Sequence, residues 1–348
     1  MTNLRKRSEE IRAYILENVE NDHKRTISLT TEKFNISRQA VHRHIKNLVE
    51  QGLLIRLRNG EYELCSQEEW AKEFDISDHS AEDVLWRNEI KKVVGRLPDN
   101  TIDIWQYGFT EMLNNVVEHS ESKTVLITIS KNAYFAEMSI VDKGVGIFNK
   151  IKNEMDLLDE RHAVLELTKG KLTTDPEGHT GEGIFFTSRM FDTFSILSGE
   201  VYLSHTYGED EDWVLQTRTN VNGTIVTMRL KNNTSRTTKE IFDEFASDSD
   251  FGFTKTIVPV RLAQYGDEKL ISRSQAKRLL SRIDRFMTVI FDFKEVESIG
   301  KAFADEVFRV FANEHPNIKL FSINTNDDVL RTIESAKQNI NNNQGSLF

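Results

Sequence analysis

The chain has 348 residues, with 45 Lys or Arg against 55 Asp or Glu and a formal net charge of −10. This length suits two to three domains, each with its own core. The single cysteine, Cys65, excludes an intramolecular disulfide, and the sequence contains no apolar segment long enough for a signal peptide or a membrane span. We therefore expect a cytoplasmic protein.

The first 66 residues predict three helices followed by a hairpin. Helical patterns run from about 8 to 19, through TTEKF and through RQAVHRHIKNLVEQG, with Ser37 as the cap of the third helix. The segment IRLRNGEYELC then alternates around Asn59 and Gly60, which is the strongest short hairpin signal. This order of helix, helix, turn, helix and wing resembles the winged helix-turn-helix domains.

The resemblance to winged helices implies DNA binding, because their third helix enters the major groove with its N-terminal half. Residues 1–65 carry 12 Lys or Arg against 9 Asp or Glu, a net charge of +3, so the remainder carries −13. A domain with so small a net charge would bind DNA weakly by itself, and dimerisation would strengthen that binding. A winged helix that docks to protein is the alternative. The candidate DNA-binding residues are Arg38, Gln39, His42, Arg43 and Lys46 on the third helix, and Arg56 and Arg58 beside the wing tip.

A column of polar side chains opens the central region. Glu111, Asn115 and His119 lie four residues apart in EMLNNVVEHS, so on a helix they share one face. A carboxylate at Glu111 suits the removal of a proton from the group that attacks a γ-phosphate. Mg²⁺ takes oxygen ligands, which the amide of Asn115 and nucleotide phosphates could supply. If the column stood alone, a solvated helix face would be the simpler interpretation.

A tight turn follows the column. Asp142 ends the apolar run AEMSIVD and precedes Gly144 and Gly146, so we expect it to end a strand and point into the turn. A carboxylate placed there can accept a hydrogen bond from an amino group. Such a turn is common by itself, and its position after the column favours a nucleotide site.

A glycine-rich segment completes the pattern. Gly178, Gly181 and Gly183 precede IFFTSRMF, so backbone N–H groups could approach phosphates at the start of a helix. Further along, Gly223 and Thr224 open the apolar strand GTIVTMRL. The order of all these motifs predicts nucleotide binding.

These motifs resemble the GHKL ATPases of gyrase and histidine-kinase type, and most closely the anti-sigma-factor serine kinases. The resemblance covers about residues 86 to 232, where the family pattern ExxxNxxxH and a following small residue fit Glu111, Asn115, His119 and Ser120. It implies a site for ATP and Mg²⁺ in which Glu111 is the general base and Asn115 ligates the metal.

The same resemblance implies roles for the turn and the glycines. Asp142 would accept from the adenine amino group, and Gly144 and Gly146 would shape the adenine pocket. The strand opening at Thr224 matches the terminal Gly-Thr of the family. Gly181 and Gly183 would close on the phosphates.

The stretch from Phe148 to Thr180 is long and polar, and we expect it to form a mobile lid over the phosphates. Lys169 and Lys171 could reach a phosphate, although solvated surface lysines are the commoner case. The sequence has no separate histidine-bearing helical hairpin, so autophosphorylation on histidine is not expected.

From Phe253 strands and helices alternate, which predicts a small α/β sheet. The string VIFDFKEVESIGKAFADEVF resembles the STAS-like domains of anti-sigma-factor antagonists, which implies a protein partner. In that family a helix starts at a phosphorylatable serine. Here the helix starts SIGKAF and Ser298 lies earlier, so a phospho-switch is not carried over. Gly300 and Lys301 could form a contact surface, whereas core packing explains Phe303.

The predicted fold is therefore an α/β multidomain chain. Its domains are expected at 1–66, 86–236 and 253–340, with linkers at 67–85 and 237–252 and a loose tail at 341–348. We also expect a homodimer, because winged helices often bind DNA at paired half-sites.

Three functions fit this organisation. We favour an ATP-binding, ATP-hydrolysing regulatory protein whose nucleotide state controls DNA or partner binding, because a nucleotide pocket is joined to a DNA-binding-like module. A protein serine/threonine kinase acting in partner switching is the alternative that the closest resemblance implies. A pocket that binds nucleotide without chemistry is the third, and the carboxylate of Glu111 argues against it.

Overall fold

The computed structural model describes residues 3–22, 24–58, 60–76, 82–172, 181–209, 212–247, 250–264 and 269–344. Over these ranges helices and strands form three successive regions, and the predicted α/β multidomain class is confirmed. Among the described helices, none combines the length and the apolarity that a membrane crossing requires.

The N-terminal region consists of three helices and a hairpin in the predicted order: α1 (Asn3–Asn21), α2 (Thr26–Phe34), α3 (Arg38–Glu50), β1 (Leu54–Arg56) and β2 (Tyr62–Leu64). The hydroxyl of Ser37 accepts from the amide of Ala40 at 3.2 Å and caps α3, and the Ser37 carbonyl accepts from the same amide at 2.9 Å. The two strands are antiparallel, and Asn59 of the predicted turn lies outside the described residues. A separate apolar cluster that includes Ile15 and Val41 forms the core of this region.

The central region is built on a five-stranded antiparallel sheet in the order β3-β4-β5-β7-β6. Its strands are β3 (Glu68–Asp75), β4 (Thr124–Lys131), β5 (Phe135–Asp142), β6 (Thr193–Thr206) and β7 (Asp212–Lys231). Side chains of β4 and β5 alternate between buried and partly buried, as period-two strands on a covered sheet do.

One strand of this sheet lies where we predicted a linker. Residues 68–75, within the expected linker 67–85, pair with β4 as the edge strand β3. Trp70 and Phe74 share its inner face and pack against the core, but Lys72 lies between them on that face and bonds Glu89 instead. This charged residue breaks the apolar alternation by which a strand is recognised in a sequence.

Helices cover the sheet. They are α4 (Glu82–Leu85) and α5 (Lys91–Val94), joined by a π-helical turn at Trp86–Ile90, then α6 (Asp99–His119), α7 (Ile147–Glu154), α8 (Glu160–Lys169), α9 (Gly183–Met190) and α10 (Thr238–Phe245). The helix α10 lies in the expected linker 237–252, where Thr237 and Glu240 form a capping box and Phe245 is buried.

The C-terminal region has the predicted strand and helix alternation. Its parallel sheet, in the order β10-β11-β12, contains β10 (Lys255–Pro259), β11 (Thr288–Asp292) and β12 (Lys319–Ile323). A short hairpin of β8 (Ala246–Ser247) and β9 (Asp250–Phe253) precedes the sheet. The helices are α11 (Arg273–Leu280), then α12 (Lys301–Asp305), continued through a π-helical turn into α13 (Ala312–Glu314), and α14 (Asp327–Gln344). Phe303 is fully buried, as core packing predicts.

Candidate functional site

The polar column lies on one face of α6, whose opposite side packs Trp105, Phe109 and other apolar residues into the core. Asn115 and His119 line a cavity between α6, α7 and the sheet. The Asn115 Nδ2 donates to the carbonyl of Glu111 at 2.8 Å. Since the amide nitrogen is engaged with the helix, the Asn115 side-chain oxygen is oriented as the group that can accept or ligate.

Asp142 reaches the same cavity from the end of β5. Its carboxyl group is buried, and its Oδ1 accepts from the amide of Gly144 at 2.8 Å. Burial raises the pKa of Asp142, while hydrogen bonds from Gly144 and Thr224 oppose that rise. Thr224 also lines the cavity, and its hydroxyl accepts from the amide of Ile147 at 3.1 Å. The arrangement places an acceptor at the base of an otherwise mostly apolar cavity.

The turn after Asp142 packs directly on the end of α6. A Cβ at Gly144 would lie 1.8 Å from the carbonyl oxygen of Ser120, so only glycine fits there. The amide of Val145 donates to the same oxygen at 2.8 Å. Gly146 follows and precedes the first residue of α7. This contact fixes the Asp142 turn relative to the polar column.

The glycine-rich segment approaches the column from the other side. Gly183 is the first residue of α9, and a Cβ there would lie 1.9 Å from Glu111 Oε2. The carbonyl of Gly181 accepts from the amide of Leu172 at 3.1 Å. This bond joins the glycine-rich segment to the chain just after α8. The start of α9 therefore lies against Glu111, beside the cavity that Asn115 and Asp142 line, and Gly178 lies outside the described residues.

Sequence reasoning missed several residues at this site. Lys150 and Glu154 of α7 line the cavity, and the Lys150 Nζ donates to the carbonyl of His119 at 3.0 Å. Their spacing from Ile147, three and seven residues, is the signal of one helix face, but the segment was interpreted as a polar loop. Tyr107 is another residue that the sequence pattern did not single out. Burial and then the charges of Glu111 and Glu182 raise its pKa.

The lid differs most from expectation. The predicted mobile stretch from Phe148 to Thr180 contains α7 and α8, and every residue from 163 to 170 is buried. Lys169 faces neither solvent nor the cavity, and Lys171 donates to the carbonyl of Arg285 in the C-terminal region. Residues 173–180 lie outside the described residues.

Residues 79–203 match the family model described as a histidine kinase-like ATPase domain. The central region is a histidine kinase-like (GHKL) ATPase domain. Residues 275–330 match a second model, described as a STAS-like domain of unknown function. The two matches confirm the predicted resemblances to GHKL ATPases and to STAS-like domains, whereas the anti-sigma-factor type and the winged helix stay predictions. Thr224 lies beyond the end of the first match. A search of curated proteins returned no match for the chain.

An ATPase domain of this type implies ATP binding, and the residues present fit the nucleotide. The buried acceptor Asp142 suits an amino group, and the Asn115 oxygen suits Mg²⁺ shared with phosphates. Across the described ranges, no three His, Cys, Asp or Glu side chains cluster as a metal cage.

The candidate DNA-binding residues lie together on the N-terminal region. All seven are exposed, five of them on α3 and two on or beside β1. The Lys46 Nζ lies 3.6 Å from Glu50 Oε1, so the net positive charge of this part of α3 is smaller than its basic residues alone would give. The structure therefore leaves these side chains accessible to a large partner.

Proposed function

We propose that the chain is an ATP-dependent regulator in which the nucleotide state of the ATPase domain controls DNA binding by the N-terminal region. One observation carries the proposal. Asn115 and His119 from α6, Asp142 from β5 and Thr224 from β7 line one cavity, and Gly183 holds the start of α9 against Glu111 beside it. Carboxylate, amide and helix start are the groups that nucleotide hydrolysis needs.

Each residue has a defined part in this mechanism. Bound Mg²⁺-ATP supplies the phosphoryl group and the charge neutralisation at its phosphates. Asp142 accepts from the adenine amino group, and Asn115 offers its oxygen to the metal. Glu111 holds the proton removed from the attacking water on a carboxylate oxygen. The first N–H groups of α9 have no partners within the helix, so they would be available to phosphates bound at the start of α9.

Contacts between the N-terminal region and the ATPase sheet support the regulatory part. Glu17 of α1 accepts from the Tyr134 hydroxyl at 3.2 Å and from the Lys231 Nζ at 3.2 Å. Glu20 forms an ion pair with Arg229.

The strands that receive these contacts also carry the nucleotide residues. Strand β5 starts next to Tyr134 and ends at Asp142, and β7 contains Thr224 as well as Lys231. A shift of either strand on nucleotide binding would therefore move the surface on which α1 rests.

The resemblance of the N-terminal region to winged helix-turn-helix domains favours DNA as the partner. The third helix exposes basic and amide side chains along one stretch, and the hairpin adds two arginines. Arg and Gln are suited to phosphate and base contacts in the major groove. Binding through so modest a charge would depend strongly on salt.

The deciding experiment measures phosphate release from Mg²⁺-ATP by the purified chain beside Glu111→Ala, with a parallel gel for labelled protein. Asp103→Ala is the matched control, because Asp103 is exposed on the same helix. Release that Glu111→Ala loses and the control keeps supports the ATPase. Label on the chain or on an added partner would instead favour a protein serine/threonine kinase. DNA retention with and without ATP then tests the regulatory step.

A further inference from the structure

The lid helix α8 is buried on all sides after its first turn. Residues 163–170 are all buried, including Glu166, Thr168 and Lys169. A helix on a protein surface normally leaves a polar face to water, so this burial requires a second covering layer. On one side α8 contacts α7, α9 and β6 of the ATPase domain, and on the other it contacts β10 and the turn at Val260–Ala263. The STAS-like region therefore supplies the outer layer of the lid.

Two charged side chains of α8, Glu166 and Lys169, contact the STAS-like region across this boundary. The Lys169 side chain is 2% exposed, and its Nζ lies 2.6 Å from Glu166 Oε1. It also donates to the carbonyls of Ser281 at 2.9 Å and Arg278 at 3.3 Å, both in the STAS-like region. Burial lowers the pKa of Lys169, while the Glu166 carboxylate opposes that shift. A buried ammonium of this kind persists only where its partners stay in place.

Arg282 completes the cluster from the STAS-like side. Its Nη1 lies 3.7 Å from Glu166 Oε2, and its Nη2 donates to the carbonyl of Lys171. The carbonyl of Lys169 accepts from the Thr256 hydroxyl at 2.7 Å. The last carbonyls of a helix have no partner within it, so here donors from another domain take that place. We call Glu166, Lys169 and Arg282 the lid clamp.

The same short segment forms a wall of the nucleotide cavity. Leu167 and Leu172 line that cavity, on either side of Lys169 along the chain. The amide of Leu172 donates to the carbonyl of Gly181, which precedes the helix start beside Glu111. A displacement of the clamp would therefore reach both the cavity wall and the glycine-rich segment.

We propose that Arg282 is a positioning residue by which the STAS-like domain holds the ATP lid, so that a partner displacing this domain weakens nucleotide binding. The inference rests on the proposed nucleotide site. A lid already held in place costs less conformational entropy to order when a nucleotide binds. Because coupling is reciprocal, a bound nucleotide would also tighten the contact between the two domains.

The test compares the full-length chain with Arg282→Asn, a substitution that tolerates the positive φ of 61° at this position. Hydrogen exchange of amides 161–171 reports the lid, and calorimetry with Mg²⁺-ADP reports affinity. Arg273→Gln is the matched control, because Arg273 pairs with Asp305 in the same domain, away from the lid. We expect faster exchange and affinity reduced about fivefold or more in Arg282→Asn alone.

Unchanged lid exchange in Arg282→Asn would overturn the proposal, as would faster exchange with unchanged affinity. If Arg282→Asn does not fold, the double variant Glu166→Gln with Lys169→Met removes both charges of α8 together, and Arg282 keeps its hydrogen bond to the carbonyl of Lys171. The same faster exchange and lower affinity are expected for it. A wild-type chain that fails to bind Mg²⁺-ADP would refute the proposed function, whereas the exchange measurement still decides whether the STAS-like domain holds the lid.

Discussion

Gly183 and Glu111 lie so close that a methyl group on the glycine would overlap the carboxylate. A Cβ would be 1.9 Å from Oε2 and 2.9 Å from the carboxyl carbon. Gly183→Ala must therefore displace either the proposed base or the start of α9. We expect loss of ATP turnover of about a hundredfold, the scale of a misplaced general base.

Gly208→Ala is a suitable control for this variant. Gly208 has φ of +81°, but a Cβ added there would meet no atom within 4 Å, so the substitution adds backbone strain without a clash. Turnover retained in Gly183→Ala would show that Glu111 does not act from the position it has here.

Substitutions at Glu111 and at Asp142 should have different effects, on ATP turnover and on nucleotide affinity respectively. Glu111→Gln keeps the shape of the side chain and loses the base, so affinity for Mg²⁺-ADP should stay within about twofold while turnover falls by a factor of about 10²–10⁴. Asp142→Asn replaces a buried acceptor with an amide that can donate, so affinity itself should fall about tenfold or more. Calorimetry and phosphate release on both variants distinguish these effects. Equal affinities would contradict the assignment of Asp142.

His162, on the same helix as two residues of the lid clamp, predicts a pH dependence of stability. Burial, with the charges of Arg278 and Lys169, lowers the pKa of His162 from 6.5 to about 4. Glu166 lies 3.8 Å away on the same helix, and Asp159 caps that helix. The unfolded chain takes up this proton near its ordinary pKa, whereas the folded chain takes it up only near pH 4. The stability that the buried, neutral His162 contributes is therefore complete above pH 6.5 and is lost as the pH falls toward 4.

The measurement is the melting temperature of wild type and His162→Gln at pH 7 and pH 5. We expect the fall between these values to be smaller in the variant by roughly 2 °C. Exchange of amides 161–171 should show the same trend if the effect originates in the lid. Equal falls in both proteins would mean that His162 is protonated equally in the folded and unfolded states.

The sequence predicted the parts of the site that depend on local spacing. Glu111, Asn115 and His119 lie on one helix face as their spacing requires, and Asp142 ends a strand before the turn. Helix periodicity and glycine turns are local properties, so they can be read without the fold.

The lid could not be predicted in this way. Glu166 and Lys169 have the spacing of an ion pair on a solvated helix face. The groups that contact them from outside the helix, the Ser281 carbonyl and the Arg282 guanidinium, are more than a hundred positions away. The strand β3 was missed for a related reason, because the charge of Lys72 on its inner face is compensated by Glu89, which lies outside the strand. Only the fold brings these partners together.

The contact between α1 and the ATPase sheet yields a test of the regulatory step. The Glu17→Gln, Glu20→Gln double variant removes the ion pairs to Lys231 and Arg229 while leaving the exposed residues of α3 untouched. We expect DNA affinity without ATP to stay within about twofold, since partly exposed ion pairs contribute little stability. The change in DNA affinity caused by ATP should be largely lost, because the nucleotide would no longer move a docked α1.

Glu9→Gln is the matched control for this variant, because Glu9 is exposed on α1 and pairs with Arg5 of the same helix, at 3.5 Å. Fluorescence anisotropy of labelled DNA, titrated at several salt concentrations with and without Mg²⁺-ATP, measures both quantities. If the double variant responds to ATP as strongly as wild type, communication does not pass through this contact. A response lost in the double variant and kept in Glu9→Gln would locate the coupling at the ends of β5 and β7, opposite Asp142 and Thr224.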